Sequence, residues 1–124
     1  MKYTRLYTGA DGKSRFSVVD LPVRDYTPTY VKSAIPVGRQ TDTMKSTGIF
    51  LREWIPQTNY EWHIAPRRQF VIVTEGALDI TSGEGEKRRF GPGEFFLVED
   101  LTGGGHLTEL AGNKTAHSIF VPIE

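Results

Sequence analysis

The sequence contains no cysteine, which excludes disulfides, thiolate nucleophiles and cysteine-held zinc. It carries no surplus of charge: fifteen Lys and Arg offset fifteen Asp and Glu. No overall field therefore draws in nucleic acid or an acidic membrane surface. Long apolar runs are missing, and the opening MKYTRLYTGADGK lacks the apolar centre of a secretory signal. A soluble, cytoplasmic protein with no nucleic-acid and no membrane partner is expected. Helical periodicity is absent as well. No window sustains it over three turns, and only residues 30–34, fenced by Pro28 and Pro36, have room for a turn of helix.

What is present is a chain of 124 residues, enough for one domain with its own core. Thirteen Gly and seven Pro punctuate short segments rich in β-branched and aromatic residues. Strands are expected at 5–8, 15–21, 48–55, 69–74, 77–82, 87–90, 94–98, 105–110 and 116–123. Turns are marked by Gly9-Ala10-Asp11-Gly12, Ser82-Gly83-Glu84-Gly85 and Gly91-Pro92-Gly93. The class is all-β, of sandwich or barrel type. Residues 22–46 are the least regular and are expected to wrap the barrel or pack on a partner subunit.

Side chains alternate along a strand, so Gln69, Val71 and Val73 share one face, and Phe70, Ile72 and Thr74 the other. Carried backwards, the same parity sets His63, Ala65 and Arg67 beside Gln69, although Pro66 interrupts the count. Gly76 permits the positive φ of a turn before the chain returns. Gly103-Gly104-Gly105 opens no helix and precedes no Lys-Ser/Thr pair, so it is not a nucleotide loop. Its expected use is freedom for the loop that brings His106 to the site.

The stretches WHIAPRRQFVIVTEG and FGPGEFFLVEDLTGGGH resemble the two motifs of the cupin superfamily. In the first, two His separated by one residue are followed by Glu four residues later and Gly seven beyond that. His63, Ala65, Gln69 and Gly76 occupy these positions. The second, Gly-x5-Pro-x-Gly-x2-His, begins at Gly93, with Glu99, Leu101 and Gly104 at its other three positions. His106 lies two residues on, an offset that the loop at 102–105 can absorb. The resemblance covers roughly 48–123. It implies a single domain over 1–124: a cupin-type jelly-roll β-barrel (double-stranded β-helix), with an irregular arm over about 1–46 and barrel motifs over about 48–123.

The resemblance also implies a divalent metal, Fe, Mn, Ni or Zn, held at the barrel mouth by His63 and His106. Gln69 would be the third ligand, with a neutral amide in place of the charged carboxylate; otherwise it walls the pocket. His117, the only other His, would join if it faces inward. A lone His in a strand is otherwise a hydrogen-bonded core or rim residue. Arg67 or Arg68 at the mouth would bind a carboxylate or phosphate; alternatively both pair with Glu84–Glu86 or with Glu99 and Asp100. Arg67, Trp54, Trp62, Glu53 and Val71 are the candidate substrate-binding residues, the aromatics being core residues in the plainer reading. A general base would come from Glu99, Asp100, Glu53 or Glu61, and no catalytic residue is singled out.

Three functions follow in order. The first is a metal-dependent enzyme on a small organic molecule, of dioxygenase, isomerase or lyase type. The second is a metal-free cupin that binds a small ligand, anionic in one version, as sensor or carrier, its degenerate site empty. The third is an inert interaction module. A homodimer is expected in each case, because jelly rolls bury sheet edges in symmetric pairs.

Overall fold

A computed structural model describes residues 1–30, 32 and 35–124. Eleven strands follow in order: β1 (Lys2–Thr8), β2 (Ser14–Asp20), β3 (Arg24–Tyr26), β4 (Gly38–Gln40), β5 (Phe50–Trp54), β6 (Gln69–Glu75), β7 (Leu78–Thr81), β8 (Lys87–Phe90), β9 (Phe95–Glu99), β10 (Leu107–Leu110) and β11 (Ala116–Pro122). Nine match the expected segments to within a few residues. The pair β3–β4 was not expected: residues 22–46, read as irregular, carry a short antiparallel ribbon. The turn of helix expected at 30–34 falls largely on residues 31, 33 and 34, outside the described residues.

Six strands form one sheet, in the order β2-β1-β9-β6-β11-β5, and three form a second, β10-β7-β8. Among the described residues the two sheets are separate and share no ladder that would close them into one barrel. Their apolar faces meet in one core, which Leu6, Val73, Leu78, Ile80, Phe96 and Phe120 fill from both sides. Each such side chain contributes roughly 1.5–3 kcal/mol on burial, which makes this contact the main force assembling the layers. The expected irregular arm is regular for nearly its first half. Strand β1 runs parallel to β9, and its Leu6 is wholly buried.

The parity of β6 is as read from the sequence. Gln69, Val71 and Val73 are buried, while Thr74 is exposed. In β11 the buried set is Ala116, Ser118, Phe120 and Pro122. The β6–β11 register slips between His117 and Ser118. Thr74 is the extra residue there, and its hydroxyl donates to the His117 carbonyl at 3.2 Å. Gly76 turns with φ of 71°, and a Cβ on it would lie 2.6 Å from the Thr115 carbonyl oxygen. Only glycine fits there.

Candidate functional site

A cavity of about 200 Å³ opens between the two sheets. Its apolar wall is built from Val71, Leu78, Ile80, Phe96, Val98 and Phe120. Its polar lining consists of Arg52, His63, Arg67, Gln69, His106 and Thr108, with Trp54 beside them. Five of the residues expected to bind metal or substrate from the first half of the motif pair and its surroundings thus meet here: Trp54, His63, Arg67, Gln69 and Val71.

His63 and His106, distant in sequence, face each other with ring centroids 4.5 Å apart. A reciprocal backbone pair holds them: His63 N–H donates to the His106 carbonyl at 3.0 Å, and His106 N–H returns the bond at 2.9 Å. Gly105 makes this approach available. It sits at φ of 72°, and a Cβ there would lie 2.1 Å from the His63 carbonyl oxygen. The glycine run therefore serves close packing. Its carbonyl at Gly105 accepts from the buried Ser14 hydroxyl at 2.7 Å, and Gly104 N–H donates to the Gly12 carbonyl at 3.1 Å. The loop is pinned rather than free, which corrects the reading of its glycines.

Both imidazoles have one nitrogen already committed. His106 Nδ1–H donates to Asp100 Oδ2 at 2.6 Å, with the imidazole nearly buried and the carboxylate fully so. An ionised carboxylate only accepts, so the proton of this bond belongs to Nδ1. His63 Nδ1–H donates to the Glu61 carbonyl at 3.0 Å. In the neutral form of each ring this leaves Nε2 with its lone pair, the form in which imidazole binds a cation or accepts a proton. The other oxygen of Asp100 is buried without a hydrogen-bond partner. The carboxylate thus spends its interaction on His106 alone.

The amide of Gln69 is buried, and its Oε1 accepts from Arg67 Nη1 across a long 3.4 Å. Trp54 is anchored by its indole N–H, which donates to Ser118 Oγ at 2.8 Å. Arg52 lies over the Phe120 ring, 4.4 Å from its centroid, and 5.0 Å from that of Trp54. Burial and the like charge of Arg67 push the Arg52 pKa below its ordinary value.

The remaining candidates lie elsewhere. His117 is on the opposite face of β11, with Nε2 3.1 Å from Glu53 and Nδ1 2.8 Å from Glu75. Both His117 and Glu53 line a separate groove. Trp62 is half exposed and does not line the cavity. Arg68 follows the plainer reading, pairing with Glu99 at 2.9 Å, whereas Arg67 turns to the cavity. Glu99 is shared with Arg5, and Glu61 offers the site only its backbone carbonyl. Among the described residues no carboxylate lines the cavity.

Sequence reasoning missed Arg52 and the true place of Asp100. The signal for Arg52 was present: in Phe50-Leu51-Arg52-Glu53-Trp54 an inward Trp54 requires an inward Arg52 and an outward Glu53. Asp100 was named as a base, and nothing local reveals that it stands behind His106.

No family model matches the chain, and no curated protein matches it. Among solved structures it is similar to protein NMB1881 from Neisseria meningitidis, with a TM-score of 0.50 and 11% identity over 71% of this chain and 90% of that one. It is also similar to a putative ethanolamine utilization protein Q from Salmonella typhimurium, with a TM-score of 0.46 and 12% identity over 99% and 95% of the two chains. At such identities a likeness speaks for fold alone. The fold is an all-β jelly roll of two packed sheets. What the cavity does rests on its own residues.

Proposed function

We propose that this small cupin-fold protein binds a small organic molecule in the intersheet cavity, beside a divalent metal ion held by His63 and His106. One observation carries the reading: two imidazoles meet at 4.5 Å on the cavity wall, each with Nδ1 hydrogen-bonded and Nε2 unspent. The donor chemistry fits Fe, Mn, Ni or Zn held with modest affinity. Two neutral nitrogens replace the usual nitrogen-and-carboxylate set, and among the described residues no group of three His, Cys, Asp or Glu side chains is placed to hold a metal. A bound ion would supply Lewis acidity toward a carbonyl or carboxylate oxygen. Asp100 would fix the His106 ring and raise its basicity. Gln69 would orient the organic molecule, and the apolar wall would keep water away from it.

Enzymatic turnover of dioxygenase, isomerase or lyase type is the catalytic form of this proposal. The test begins with elemental analysis of protein purified without chelator, followed by titration with each ion. Stoichiometric binding lost in both His63→Ala and His106→Ala supports the reading. Absence of binding by every ion removes it.

A second reading, a metal-free binder serving as sensor or carrier, is favoured by a different observation. Gln69 stands at the carboxylate position of the motif and faces the Arg67 guanidinium. Cationic surroundings and the loss of an anionic ligand both weaken cation binding. Ligand stabilisation that is indifferent to chelator would favour this version.

A further inference from the structure

Arginine pairing separates the cavity from the rest of the surface. Seven arginines, at positions 5, 15, 24, 39, 68, 88 and 89, each lie within 4 Å of a carboxylate oxygen. The remaining two, Arg52 and Arg67, line the cavity, and among the described residues neither is paired with a carboxylate. We propose that Arg52 and Arg67 form a clamp for the carboxylate of a small organic acid, whose apolar body lies against Val71, Ile80 and Phe96. The proposal deepens the reading of the cavity as a small-molecule site, and it does not depend on the metal.

Physical chemistry supports the pairing from three directions. First, two guanidiniums on the wall of one small cavity repel, and an anion between them turns repulsion into two charge-assisted interactions. Second, Arg52 is positioned in advance: its guanidinium carbon rests 4.4 Å from the Phe120 ring centroid and 5.0 Å from that of Trp54, so less side-chain entropy is lost on binding. Third, size and lining select the rest of the molecule. A dry apolar cavity of about 150 Å³ accepts benzene. The present cavity, about 200 Å³ with one polar side, matches a molecule of that size carrying one charged group.

The clamp also explains the absence of acidic side chains from the lining. The ligand brings the counter-charge that the protein omits. Gln69, whose Oε1 faces Arg67, keeps its amide N–H groups available to the same carboxylate.

The experiment uses thermal shift and calorimetry on the full chain, with and without chelator. Probes are benzoate, its uncharged isostere benzamide, isobutyrate and inorganic phosphate. Benzoate or isobutyrate is expected to raise the melting temperature, with benzamide giving little. Arg67→Gln should weaken the carboxylate at least about tenfold, the loss of one charge-assisted pair. Arg52→Gln should do the same; because it also removes ring stacking, Arg67→Gln is the decisive variant. Equal stabilisation by benzamide, no stabilisation by either carboxylate, or unchanged affinity in Arg67→Gln overturns the proposal. So does phosphate binding as tightly as benzoate with the same arginine dependence. Carboxylate binding in chelator-treated protein that takes up no metal keeps the clamp and removes the metal. Metal uptake without carboxylate binding does the reverse.

Discussion

Asp100 holds His106 from behind: its Oδ2 accepts the Nδ1 proton at 2.6 Å, with the carboxylate sealed from solvent and the imidazole nearly so. This one bond selects which imidazole nitrogen faces the cavity. Asp100→Leu should leave a buried N–H without an acceptor, at a cost of about 1–3 kcal/mol. Nitrogen chemical shifts of the His106 ring should report Nδ1 protonated in the native chain and a tautomer mixture in the variant. Metal affinity, where present, should fall by roughly 10–100-fold. An unaltered tautomer would remove Asp100 from the positioning role.

Gly105 is the hinge of the site's assembly, because any Cβ would collide with the His63 carbonyl and demand a left-handed backbone of a side-chain-bearing residue. Gly105→Ala is expected to destabilise by roughly 2 kcal/mol or more, lowering the melting temperature by about 6–10 °C. The same variant should separate the two imidazoles and weaken ligand binding. Gly104→Ala is the matched control, since a Cβ there meets nothing within 4 Å. Equal losses in the two variants would contradict the close-packing role.

His117 gives a pH signature unrelated to the cavity. The Glu53 hydrogen bond, followed by the charge and hydrogen bond of Glu75, raises its pKa above 6.5. A raised folded-state pKa stabilises the fold below the unfolded value and loses that contribution as pH climbs through the folded one. The melting-temperature gap between the native chain and His117→Gln should thus be widest at about pH 5.5 and nearly closed at about pH 8.5. A gap that does not vary with pH would disprove the pairing.

Asp79 has the opposite sign. A two-point bond from Arg89, at 2.8 and 3.0 Å, lowers its pKa below 3.8. Its contribution is present above that value and disappears as pH falls through the folded pKa. In acid titration followed by circular dichroism, Asp79→Asn should be less stable than the native chain at neutral pH and converge with it in strong acid. Divergence in acid would exclude this pairing as a source of stability.

The fold was largely legible because strand periodicity is local. Alternation across Gln69, Val71 and Val73 gave the buried face of β6 before any neighbour was known, and Gly76 gave its turn. The site was legible in part. Parity reaching back to His63 and Arg67 survived the proline between them. In β5 the same rule would have chosen Arg52 over Glu53, had Trp54 been taken as the inward residue. In β11 the rule had no purchase: Ala116, Ser118 and Phe120 make as good an inner face as His117, Ile119 and Val121. The ribbon at β3–β4 was invisible for a related reason, since three exposed residues per strand leave no apolar pattern.

The sequence alone determined a cysteine-free, charge-balanced, all-β chain with His63 in a motif position, His106 two residues beyond one, and no carboxylate at 69. These are properties of residue identity and short-range spacing. Tertiary structure decided which arginines found carboxylates and which two were left at the cavity, that Asp100 stands behind His106, and that His117 looks outward. Such outcomes depend on register between strands remote in the chain, where sliding one strand by a single residue exchanges its inner and outer faces.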